Sequence, residues 1–225
     1  METIEYKGHR IEIQQDEYAD SPRVWDNLST FAFQLSGYEL PNDIDIDYDD
    51  FVDLHYNHRI VTSAIEEAEK YIRKNFDVLE IFRVSAYIHG GISLSIGSPT
   101  CQWDSGYIGF MFIEKDKVRE NFRIKRITKE FKEKSIEIAK SELETYSQYL
   151  NGEVYGYNTY DKDGEDIDSC WGYYGYDHEE SGLLDMAKDN IDYHIKKQTE
   201  SKYERIKTFI KNNVPLNVRM QYLTQ

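Results

Sequence analysis

From its first residues the chain alternates apolar and polar positions, with Ile4, Tyr6, Ile11 and Ile13 recurring at period two around Lys7-Gly8. Period two marks a strand with one buried face, and a glycine at the break predicts a hairpin. The run STFAFQL, residues 29–35, reads as a buried strand. Over 60–76 the period changes: Ile60, Ala64, Ala68, Tyr71 and Ile72 share one face at helical spacing. The stretch VLEIFRVSAYIHGGISLSIGS predicts two strands joined at His89-Gly90-Gly91, and GYIGFMFIE a third. From Lys115 to Gly152 the pattern fits one short helix and one long one, the latter over 124–150. A further hairpin is expected around Asp163-Gly164, and a last helix over 183–213. The expected fold is α+β, a mostly antiparallel sheet built from hairpins. At least three amphipathic helices pack it, covering one face of five to eight strands. Residues 1–180 read as the core domain, and 181–225 as a helical extension packed on it or used for association.

Charge narrows the functional classes. The 225 residues carry 27 Lys and Arg against 42 Asp and Glu, a net charge of −15. Such a chain is repelled by nucleic acid and anionic lipid, which demand a basic face. With 3 Trp, 19 Tyr and 10 Phe, apolar material for a core is ample. No apolar run reaches the length of a membrane helix, and the N-terminus lacks a signal-peptide profile, so a cytoplasmic location is expected. Cys101 and Cys170 are the only cysteines and are expected as free thiols.

Candidate chemistry is sparse. Between Leu40 and Leu54 the chain reads LPNDIDIDYDDFVDL. In an extended strand, Asp43, Asp45 and Asp47 would line one edge at a spacing of about 7 Å. That repeat approximates nucleic-acid phosphates, and Asp49, Asp50 and Asp53 add to it. The expectation is a partner-binding segment that imitates a polyanion; a solvated loop is the plainer reading. Cys101-Gln102-Trp103-Asp104-Ser105-Gly106 and Asp168-Ser169-Cys170-Trp171-Gly172 repeat the same residue types. A nucleophilic thiol served by His89 or His178 is one use for them. A buried Trp-Cys core with Asp and Ser closing the turns is the structural use, and the one favoured. His55 and His58 are three apart, but no second ligand pair supports a metal, and no metal or cofactor is expected. Around Asp161–Asp168 the glycine falls at the wrong place for a calcium loop, and His89-Gly90-Gly91 lacks the context of a phosphate cradle.

Three patches together carry a resemblance: SPRVWDN with Trp25, SPTCQWDSGYIGF with Cys101, Trp103 and Asp104, and DSCWGYYG with Asp168, Cys170 and Trp171. In this order they resemble an uncharacterised family of proteins encoded by bacteriophages, plasmids and integrative elements of Gram-positive bacteria. The resemblance implies a mobile-element setting, in which accessory proteins often counter host restriction, CRISPR or related defences. The expected function is therefore a non-enzymatic inhibitor or modulator of a host defence or nucleic-acid-processing machine. Its partner would be a host protein such as a nuclease, met through acidic, Tyr-rich surfaces, with no direct contact to nucleic acid or membrane. The alternative is a small enzyme or binding protein that takes a nucleotide or signalling molecule at the Cys/Trp/Asp patches. The amphipathic C-terminal helix also allows a homodimer.

Overall fold

The computed structural model describes residues 1–47, 62–101, 103–215 and Val218. Asp49, Asp50, Asp53, His55, His58, Gln102 and the proposed helix start at 59–61 lie outside these residues. The fold is α+β with antiparallel sheets, in two compact units: Met1–Asp16 with Val154–Gln225, and Glu17–Glu153. The unit boundaries thus fall after residues 16 and 153, where composition alone suggested a division at 180.

The first unit holds strands β1 (Glu2–Tyr6), β2 (His9–Gln15), β7 (Val154–Tyr160) and β8 (Asp166–Tyr174) and helix α4 (Leu183–Asn213), with sheet order β1-β2-β7-β8. Lys7 and Gly8 both take positive φ, 52° and 73°, the pair of values that a two-residue hairpin needs to match strand twist. The register Ile4↔Ile11, Ile13↔Tyr157 and Tyr157↔Cys170 puts the apolar members of each strand on one face. Ile11, Ile13 and Tyr157 pack there against Leu183, Leu184, Ala187 and Ile191 of α4. Lys7 Nζ clamps both carboxylate oxygens of Asp192 at 2.6 and 2.7 Å, tying the hairpin to the helix.

The second unit contains β3 (Ser29–Phe33), α1 (Thr62–Asn75), β4 (Val78–Ile88), β5 (Ile92–Ile96), β6 (Ser105–Glu114), α2 (Lys115–Phe122) and α3 (Lys129–Leu150), with sheet order β3-β6-β4-β5. One face packs Phe31, Phe33, Val84, Met111 and Ile113 against Ala139, Leu143 and Tyr146 of α3. The other packs Ala32, Phe110 and Phe112 against Ala64, Ile65, Ala68 and Ile72 of α1. This sheet is therefore covered on both faces, correcting the one-sided expectation, and the described residues form two four-stranded sheets rather than one. A bulge interrupts the ladder: the β4–β6 register shifts between Val84 and Ser85, Gly109 takes φ 136°, and the alternation inverts there. Ile108 consequently joins the α3 face while Phe110 and Phe112 meet α1.

Edge strand β5 is capped by side chains from the last turn and C-cap of α3. Asn151 accepts from the Ile92 N–H at 3.0 Å and donates to its carbonyl at 2.9 Å, and Ser147 Oγ accepts from the Leu94 N–H. These bonds occupy groups that would otherwise template another strand. Gly91 is required beside them, because a Cβ there would stand 2.5 Å from Asn151 Oδ1.

Candidate functional site

The first patch lies where a short 3-10 turn, Pro22–Val24, leads into Trp25. Ser21 caps the turn by accepting from the Arg23 N–H, and Asn27 donates to the Pro22 and Trp25 carbonyls. This folds Arg23 inward until its side chain is only 10% exposed. Its guanidinium lies 3.8 Å above the Phe31 ring, donates to the Ser29 carbonyl and to Asp43 Oδ2, and stands 3.9 Å from Glu142 Oε2. Glu142 in turn accepts from the Leu28 and Ser29 N–H groups at 2.7 and 2.9 Å and from the Ser29 hydroxyl. Lys117 Nζ donates to Thr30 Oγ1 at 2.9 Å nearby. Together with Trp25, Asp26, Asn121 and Arg123 these groups border an open cleft of about 960 Å³.

Asp43 is thus an internal ion-pair partner. Its Oδ2 also accepts from the Phe31 N–H at 2.7 Å. The extended carboxylate row does not form at 42–46: Asn42 accepts from the Ile46 N–H, donates to its carbonyl, and draws the chain into a turn with Asp45 at φ 50°. Ile46 is buried by this turn, while Asp45 and Asp47 are exposed. The structure brings Trp25 and Asp43 into one cleft and separates Asp43 from Asp45 and Asp47.

The second patch is the turn entering β6. Ser105 Oγ accepts from the Cys101 N–H and donates to the Cys101 carbonyl, both at 2.6 Å. Asp104 Oδ2 sits 3.9 Å from Cys101 Sγ and 3.9 Å from His89 Nδ1. A carboxylate therefore lies between thiol and imidazole. Nucleophile activation requires the reverse order, with the imidazole against the thiol. Trp103 is 77% exposed.

The third patch belongs to β8, the edge strand of the other sheet. Cys170 is exposed opposite Tyr157. Asn190 of α4 donates to the Tyr157 hydroxyl at 2.6 Å and to Asp168 Oδ2 at 2.8 Å. Burial pushes the Tyr157 phenol up to about 12, with the neighbouring Cys170 and Asp168 adding to the shift. Tyr173 moves in the same direction, chiefly by burial and then by its bond to Cys170. On the opposite face Trp171 lies over Gly156, where a Cβ would overlap the indole and stand 2.9 Å from the Cys170 carbonyl oxygen. The glycine in VYGYN is the seat for this ring.

These geometries overturn the buried Trp-Cys core. Trp25, Trp103 and Trp171 are 53%, 77% and 44% exposed. The serine closing a turn holds, since Ser105 does so, but the indoles stand outside. The Cys101 and Cys170 patches belong to different units. Among the described residues, no three His, Cys, Asp or Glu side chains converge to hold a metal ion, and no helix is long and apolar enough to cross a membrane. The sequence reading missed Arg23 and Glu142. Glu142 had a signal: it falls four residues from both Ile138 and Tyr146 on the apolar stripe of α3, where an unpaired carboxylate is costly. Comparison with family profiles, with curated proteins and with solved structures finds no match to this chain.

Proposed function

We propose that this protein is a non-enzymatic accessory of a mobile element that binds a host protein and inhibits or modulates it through acidic, aromatic surfaces. The observation that carries the reading is the exposure of all three tryptophans, one in each patch. Exposed indoles cost solvation and are the residue type that most often anchors protein interfaces. The net charge of −15 favours a basic partner surface and fast steered encounter. The mobile-element setting rests on the resemblance of the three patches. A host nuclease or other nucleic-acid enzyme, whose substrate groove is basic, fits both the charge and the setting.

The test is affinity capture from a Gram-positive host lysate, followed by binding measurements with the retained protein. The expected result is a salt-sensitive complex that weakens by at least about tenfold when a contacting Trp25, Trp103 or Trp171 is changed to Ala. Neutralising Asp45, Asp47, Asp49 and Asp50 together to Asn should weaken it and flatten its salt dependence. Asp43 is left intact because it is paired internally. Cys101→Ser and Cys170→Ser should bind normally. Binding and salt dependence unchanged in every Trp and Asp variant would refute the proposal.

A further inference from the structure

Helix α4 runs for 31 residues, yet its buried positions, Leu183, Leu184, Ala187 and Ile191, all lie in its first third. Ile195 is the last residue to touch the core of its unit. Beyond it, residues 196–209 are exposed throughout. At 1.5 Å per residue, the eighteen residues from 196 to 213 make a helical arm of about 27 Å. Its side-chain bonds among the described residues stay within α4, as in Lys207 with Glu204, Thr199 with the Ile195 carbonyl and Asn213 with the Phe209 carbonyl.

The arm is amphipathic. Tyr203, Ile206, Phe209 and Ile210 fall within one third of the helical circumference, and Tyr203, Ile206 and Phe209 are 56%, 49% and 65% exposed. A stripe of this kind in water marks a contact with protein or with a membrane surface. The arm also inverts the charge of the chain. Between 196 and 213 stand six cations, Lys196, Lys197, Lys202, Arg205, Lys207 and Lys211, against Glu200 and Glu204, for a net +4. With −15 overall, the remainder carries −19. The occupant that fits the stripe must therefore combine apolar and acidic surface. Nucleic acid offers the charge without the apolar complement, and the −19 remainder repels both nucleic acid and an anionic lipid surface. The chain itself is a protein that carries this excess of carboxylates outside the arm.

We infer that the distal half of α4 is an association arm that docks on the acidic surface of a second copy of this chain, forming a dimer by reciprocal exchange. Each copy offers both the basic arm and the acidic surface, so the contact is satisfied twice about a two-fold axis and closes on itself. Arm against arm is the disfavoured geometry, because it sets +4 against +4. This inference stands apart from the host-partner reading, since neither the tryptophans nor a host protein enters it.

The test is sedimentation equilibrium of the purified full chain at tens of micromolar, at an ionic strength of about 0.15 M, where exposed charges beyond about 8 Å are screened. The expected result is twice the monomer mass for the wild type. Ile206→Ser/Phe209→Ser and Lys202→Glu/Arg205→Glu/Lys207→Glu should each weaken association by at least about tenfold, with unchanged circular dichroism showing that the exposed changes leave the fold intact. A monomeric wild type overturns the inference. So does a dimer that survives the charge reversal, because that result assigns the contact to arm-on-arm packing or to another surface.

Discussion

Arg23→Met should lower the stability of the unit that contains it by about 2 kcal/mol, the cost of losing the charge-assisted bonds of a largely buried guanidinium to a partly exposed Asp43 and to the Ser29 carbonyl. The substitution keeps the apolar stem of the side chain but removes the guanidinium, and so it strands two carboxylates. Asp43 Oδ2 loses the guanidinium at 2.8 Å, and Glu142 loses a cation at 3.9 Å. Glu142 remains held by the Leu28 and Ser29 donors, so its charge stays fixed in a pocket where its side chain is 15% exposed. The cation–π contact at 3.8 Å is lost as well, adding about 1 kcal/mol. Arg23→Lys should fall between the two, since an ammonium restores the charge without the planar fork that spans Ser29 and Asp43. Urea unfolding followed by far-ultraviolet dichroism measures the change. A loss below about 1 kcal/mol, the range of surface pairs, would show that Arg23 does not organise this corner.

Stability should also fall steeply in alkali. Burial raises the Tyr146 phenol to about 12 and Tyr157 to about 12, and shifts Tyr173 in the same direction. In the unfolded chain each ionises near its ordinary value of about 10. A folded pKa above the unfolded one means that the folded state holds the proton longer. The stability is therefore fully present below pH 10 and is lost between 10 and 12 as the unfolded chain sheds protons that the native one retains. Tyr146 belongs to the α3 core, and Tyr157 and Tyr173 to the α4 core, so both units should weaken. Phenolate absorbance followed across a pH titration reads this delay. A delayed group should then ionise together with unfolding. Tyr157→Phe should reduce the alkaline loss in its own unit. A flat urea midpoint from pH 9 to 12 would contradict this account.

How much the sequence disclosed depended on whether the signal was local. Gly8 and Gly164 supply the positive φ, 73° and 84°, that their turns need, and both hairpins stand where the pattern put them. The span of α4 was readable from its apolar spacing and its end at Asn213. The Gly109 bulge was not, since inverting one strand's alternation shows itself only when two helices claim opposite faces. The Asp43–Asp47 alternation misled because two bonds from Asn42 override the extended reading. For the tryptophans, residue type suggested a core. Trp103 follows the turn sequence rather than a strand period, however, and Trp171 is borne on the outer face by the space that Gly156 leaves. The Arg23–Glu142 pairing joins positions 119 apart, a separation that no window of the sequence spans.

The functional account depends most on the exposure of Trp25, Trp103 and Trp171, and acrylamide quenching of their fluorescence in the native protein tests it most directly. The account predicts red-shifted native emission and quenching constants well above those of buried indoles, with the Trp103→Ala variant losing the most accessible component. Blue-shifted emission shielded from acrylamide would place the indoles in a core and contradict the account.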